Sequence, residues 1–223
     1  QATFHLKIAK GLNLRYKSFN LGEEEPTIRY TEEATYYNWQ VQNFSALYIE
    51  PLGTDFYQLT PTLLLSPVDF AYQGVKGSAE SWQSFGQWVY QLLLTQDSLP
   101  VESQNQVREL VANAETPYEK VLLVFDYVRQ QTRTVNLPLG VGSYQPVSAE
   151  EVARSGYGDS KALSNYLIAL LEEVGIRGYY TLINAGKFAT NIDAEIPGPQ
   201  FNRAIVTVPL DTDTLWLDCS QNH

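Results

Sequence analysis

The chain has 223 residues, a formal net charge of −10, 18% charged and 13% aromatic residues, and one cysteine, Cys219. This composition suits one large domain or two small ones with a packed core and excludes a disordered chain. With no basic run to neutralise a phosphate backbone, no nucleic acid is expected as a partner. A single cysteine rules out an internal disulfide framework and a zinc cluster, and fits any redox compartment; no metal or other cofactor is expected. No apolar run reaches membrane-spanning length, and no signal-peptide pattern opens the chain. There is no methionine, even at residue 1. That reads as a processed chain or an excised fragment, so missing targeting signals carry no weight.

Residues 1–75 read as β-structure. ATFHLKIA, LNLRYKSF and ATYYNWQVQ alternate apolar and polar residues, with Gly11-Leu12-Asn13 and the acidic stretch from Gly22 to Pro26 as punctuation. LLLSPVDFAYQ, Leu63 to Gln73, reads as a last strand kinked at Pro67. The pattern predicts a sheet with one buried face, part of a β-sandwich. His5 on the first strand has no companion that would make it catalytic. Beyond residue 75 the period turns helical. Ser78 is placed to cap a helix carrying Trp82, Phe85, Val89 and Leu92. Ser98 to Asn113 gives a second helix. Thr116-Pro117-Tyr118-Glu119 is a capping box with proline at the first helical position, opening a third helix through Val121, Phe125 and Val128. Thr132 to Pro146 is a loop; its Gly140-Val141-Gly142 lacks the further glycine and helix of a dinucleotide fingerprint. VSAEEVAR is a short helix capped by Ser148.

The organising stretch is Gly156 to Ile176. Gly156 and Gly158 flank Tyr157, Asp159 is a good N-cap, and Leu163, Leu167, Leu170, Leu171 and Val174 recur at the spacing of a buried helical face. Gly175 stands where the helix would end. Ser160, three residues before Leu163, occupies the first turn, where the helix dipole favours a nucleophile. Gly178 to Asn184 is a strand, Ala185 to Pro199 a long loop, and two further strands follow, QFNRAIVTVPL (Gln200 to Leu210) and TLWLDCS (Thr214 to Ser220).

Gly158-Asp159-Ser160-Lys161-Ala162, Phe201-Asn202-Arg203-Ala204-Ile205 and Asp218 together resemble the transglutaminase-like branch of the papain-like cysteine peptidase superfamily. There a Cys on a helix, followed by a His and an Asp on two downstream strands, forms the triad. Ser160 stands at the Cys position, Arg203 at the His position and Asp218 at the Asp position. Thr134 also departs from the family, which commonly has Tyr after Thr-Arg. The resemblance implies an α+β fold. Residues 1–75 would be a β-rich, sandwich-like domain, truncated at its N-terminus, of the kind that often precedes this core. Residues 76–223 would be the transglutaminase-like core, helices packed on an antiparallel sheet. It also implies a periplasmic or extracellular location. The family needs an oxyanion-stabilising group near the nucleophile, so Tyr144 and Gln145 are expected to line the cleft with Tyr157 and Asp159.

In an intact triad the His activates the thiol and the Asp orients the imidazole. A serine hydroxyl needs a base more than a thiol does, and a guanidinium stays protonated. Arg203 is therefore expected to pair with Asp218 instead. It could alternatively hold a ligand carboxylate. Lys161 neighbours Ser160 on the helix, and such neighbours point apart. Cys219 reads as a buried apolar residue and His223 as a frayed end. Two functions remain. One is a non-catalytic domain that binds a peptide, protein or glycan in the former cleft. The other is an amide hydrolase or acyl transferase that uses Ser160 with an unrecognised base.

Overall fold

The computed structural model describes residues 1–21, 25–48, 53, 56–135, 144–186 and 189–220. The chain divides into two compact units, one of Gln1–Gly86 with Thr190–Pro199, the other of Gln87–Ala189 with Gln200–His223.

In the first unit β1 (Ala2–Ala9), β2 (Leu14–Phe19), β3 (Thr27–Tyr30) and β4 (Ala34–Val41) are followed by a single helical turn, α1 (Phe56–Leu59), then β5 (Thr62–Pro67), β6 (Asp69–Tyr72) and β7 (Val75–Ser78). The antiparallel sheet β1-β4-β3 sets Phe4 opposite Trp39, and Tyr37 opposite both Leu6 and Ile28. That register gathers apolar residues on one face, because side chains alternate along a strand. β2 pairs with β5, and Tyr16 of β2 meets Tyr37 and Trp39 edge-on at ring separations of 5.8 and 5.4 Å. Contacts of this kind contribute about 0.5–1.5 kcal/mol beyond the area they bury. His5 is exposed. β3 goes beyond the sequence reading, since Thr-Ile-Arg-Tyr offers one inward apolar residue and no run. The single strand expected over Leu63 to Gln73 is instead two. Pro67 ends β5, and the Val68 N–H bonds the Asn13 carbonyl at 2.9 Å before β6 begins.

Residues 190–199 belong to this unit. Lys17 bridges Asp193 and Glu195, each at 2.7 Å, the Ser66 hydroxyl donates to the Pro197 carbonyl at 2.6 Å, and Trp82 Nε1 donates to the Ala194 carbonyl at 2.7 Å. Gly198 has φ +157°, and a Cβ there would lie 2.7 Å from Ser66 Oγ, so only glycine lets the strap lie this close.

α2 (Trp82–Leu93) carries the division between the units. Its cap is Ser81, not Ser78. The Ser84 N–H donates to Ser81 Oγ at 3.1 Å, while Ser78 is the last residue of β7. Sequence reading moved the cap because both serines precede the same apolar face, and the β6–β7 hairpin consumes the first.

The second unit continues with α3 (Val101–Leu110), α4 (Pro117–Gln131), β8 (Arg133–Thr134), α5 (Ala149–Ser155), β9 (Tyr157–Gly158), α6 (Ser160–Glu173), β10 (Tyr179–Ile183), β11 (Arg203–Pro209) and β12 (Thr214–Leu217). α3 is shorter at both ends than Ser98 to Asn113, because Pro100 sets its start and no side chain caps it. The Thr116–Glu119 capping box is formed in both directions. α6 is the core of the unit. Leu163, Leu167, Leu170 and Leu171 are fully buried, α3, α4 and α5 pack on it, and β10 and β11 of the antiparallel sheet β10-β11-β12 lie against it. Ala162, Tyr166 and Ala169 are buried as well, so the helix is enclosed round nearly its whole circumference. Each enclosed leucine contributes about 1.5–3 kcal/mol. Gly175, with φ +78°, follows the helix end.

Candidate active site

The approach to α6 is held by backbone pairing. β8 and β9 run parallel, with the Arg133 N–H on the Gly156 carbonyl at 2.8 Å and the Val135 N–H on the Gly158 carbonyl at 2.9 Å. Gly156, with φ +71°, ends α5 in the left-handed region. Gly158 crosses the Leu163 side chain so closely that a Cβ would lie 2.9 Å from Leu163 Cδ2. The first glycine serves the turn and the second serves packing. Asp159 then caps α6 by accepting the Ala162 N–H at 3.0 Å, as its position predicts.

Lys161 is 1% exposed and Asp159 7%, and the Lys161 ammonium bonds Asp159 Oδ2. Lys161 therefore turns back to the cap, away from Ser160. The Ser160 hydroxyl instead accepts the Ala204 N–H of β11 at 3.3 Å. Among the described residues no imidazole, amine or carboxylate hydrogen-bonds it.

Across the sheet, Arg203 opens β11 and Asp218 follows β12. Asn202 fixes the entry to β11: its side-chain amide accepts the Ala185 N–H at 3.0 Å and donates to the Ala185 carbonyl at 2.9 Å. The expected ion pair is present, with Arg203 Nη1 donating to Asp218 Oδ2 at 2.9 Å. Sequence reading missed Ser220. Its N–H and hydroxyl both donate to Asp218 Oδ1, at 2.8 and 2.6 Å. The signal was available: an Asp followed two residues later by Ser is a turn in which the carboxylate takes the i+2 N–H. Burial pushes the Asp218 carboxyl up, but the Ser220 bonds and the Arg203 guanidinium outweigh it and hold it below the usual range. Burial, with the Asp218 charge beside it, pushes the Cys219 thiol up. Cys219 is thus the buried apolar residue expected, and its raised thiol supplies no nucleophile. Burial, and then the nearby Asp159 charge, push the Tyr180 phenol up. Its hydroxyl has no partner among the described residues.

The four residues expected to line a cleft are split. Gln145, Tyr157 and Asp159 border a cavity of about 240 Å³ with Lys161, Val135 and Val147. Tyr144 packs edge-on against Trp88 at 5.2 Å, outside that lining. Neither Ser160 nor Arg203 lines this cavity. Gly140, Val141, Gly142 and His223 lie outside the described residues.

Residues 104–184, which hold α6 and Ser160, match the family model described as the transglutaminase-like superfamily core. This segment is similar to a transglutaminase-like core. The matched stretch ends before Arg203 and Asp218. A solved structure described as a candidate protease of Parabacteroides distasonis is 18% identical, with a TM-score of 0.75 over 98% of this chain and 40% of that one. It shows that the fold is shared along almost the whole chain, which spans well under half of that structure's length. A structure described as a candidate cysteine protease of Cytophaga hutchinsonii has a TM-score of 0.44 and 12% identity over 98% of this chain and 71% of that one. No curated protein matches the chain.

Proposed function

We propose that this transglutaminase-like protein is a non-catalytic member of its fold that binds a peptide, protein or glycan beside Ser160. One observation carries the reading. Arg203, which the resemblance sets at the imidazole position, is committed to Asp218 at 2.9 Å, and a guanidinium cannot take a proton at neutral pH. Ser160 keeps its place at the helix start but receives a backbone N–H rather than facing a base. An uncatalysed serine is a poor nucleophile, which weighs against the hydrolase or acyl-transferase reading.

The test is an assay of amide hydrolysis and of amine incorporation into glutamine peptides by the unmodified chain and by the Ser160→Cys/Arg203→His double variant. No turnover is expected from the unmodified chain, and a larger change in melting temperature than in activity from the variant. Clear turnover by the unmodified chain, abolished by Ser160→Ala, would sink the reading. The contacts of Tyr16 with Tyr37 and Trp39 support the first unit being part of a β-sandwich. On the family resemblance the protein is exported; fractionation of cells that express the native gene checks that directly.

A further inference from the structure

We propose that Arg203 is a carboxylate clamp, so that the ligand beside Ser160 is a peptide held by its free C-terminal carboxylate. The proposal rests on the binding reading above and specifies its ligand.

The argument starts from how Arg203 is bound. A guanidinium carries five N–H donors in a planar fork. Arg203 spends one of them, Nη1, on Asp218 Oδ2. The pair cannot become fork to fork, because Asp218 Oδ1 already accepts two bonds from Ser220. Among the described residues Arg203 has no other hydrogen-bond partner, and its side chain is 31% exposed. It is therefore anchored at one tip by a carboxylate that is itself held three ways, with its remaining donors open. An arginine fixed in this manner loses little freedom on binding, and its fork matches a carboxylate better than an ammonium would.

Ser160 adds a second donor. Its oxygen accepts the N–H of Ala204, the residue after Arg203 on β11. The hydroxyl proton is then left to donate. Ser160 is tied to the backbone of the residue that follows Arg203, and a guanidinium edge together with a hydroxyl proton suits an acceptor that carries negative charge. One cation already half-offset by Asp218 suits a monoanion, and a chain of net charge −10 disfavours dianions such as phosphate. The terminal carboxylate of a peptide meets both conditions.

The test is calorimetric titration of the 223-residue chain with N-acetyl-trialanine as the free acid and as the C-terminal amide, with inorganic phosphate and glucuronate as further probes. The free acid should bind at least about tenfold more tightly than the amide, the scale of a lost charge-assisted bond. Arg203→Gln should remove that preference, and Arg203→Lys, which keeps the charge without the fork, should fall between. Equal binding of acid and amide, no binding of the acid, or an unchanged preference in Arg203→Gln overturns the clamp. Tighter binding of phosphate or glucuronate than of the acid overturns the peptide assignment. If Arg203→Gln fails to fold, the acid–amide ratio of the unmodified chain still decides. Equal binding without cleavage leaves the non-catalytic reading standing, whereas cleavage of either peptide removes both.

Discussion

Two ion pairs border Ser160, and they are built to different ends. Asp159 and Lys161 are next-but-one neighbours in the chain, and both side chains are almost wholly out of solvent. Arg203 and Asp218 come from two strands, and 31% and 22% of their side-chain surfaces stay exposed. A buried pair gains its strength only while both charges are present, because either one alone is stranded in a poorly polarisable interior. A half-exposed pair is screened, and water replaces a lost partner cheaply. The first pair therefore holds the start of α6 in place. The second contributes little to folding.

The largest expected effect breaks the buried pair one-sidedly. Lys161→Met should cost about 3–5 kcal/mol in urea denaturation, because it leaves the Asp159 carboxylate uncompensated. The Asp159→Asn/Lys161→Met double variant removes both charges and keeps an N-cap, and should recover most of that loss. If the single and double variants were equally unstable, charge burial would not be the cause. On the other side of the comparison, Arg203→Gln should cost only about 0–1 kcal/mol. A loss as large as that of Lys161→Met would erase the distinction.

A smaller effect lies in the pH dependence. The folded-state Asp218 carboxyl is held below its ordinary value, so its contribution is complete above the unfolded-state value of about 3.9 and is lost as pH falls through the folded one. Asp218→Asn should flatten the acid limb of the stability curve below about pH 4, its cost being greatest at neutral pH, where the contribution is complete, and vanishing in acid. The smallest effect is expected from Ser164→Ala. The Ser164 hydroxyl is buried without a partner among the described residues, so its removal should leave the melting temperature unchanged or slightly raised.

The helices and the site were legible in the sequence to different depths. The leucine spacing of α6, its Asp159 cap and its terminal Gly175 are local signals, and each is met in the structure. The Arg203–Asp218 pair followed from the family resemblance, which set the two residues at neighbouring triad positions, together with their opposite charges. What escaped was decided by neighbours distant in sequence. Lys161 reads only as a neighbour pointing away from Ser160, and its burial shows once α6 is seen to be enclosed on nearly all sides. Ser81 and Ser78 offer equal capping chemistry until the β6–β7 hairpin claims one of them. The short strand β3 exists because β4 pairs with it. Gln145, Tyr157 and Asp159 share a cavity, but it is one that Ser160, Arg203 and Tyr144 do not line.

The strap of residues 190–199 has a consequence for synthesis. The first unit begins at residue 1, yet it cannot be completed until a decapeptide encoded more than a hundred residues later has left the ribosome. The nascent chain must therefore thread its polypeptide out of one unit, into the other and back, and Gly86 is not a place at which the gene can be cut to yield two self-sufficient halves. Domains usually mature in the order in which they are translated. Here the earlier-made sheets must wait, with Lys17 and Ser66 lacking their partners, until α6 and β10 have already emerged.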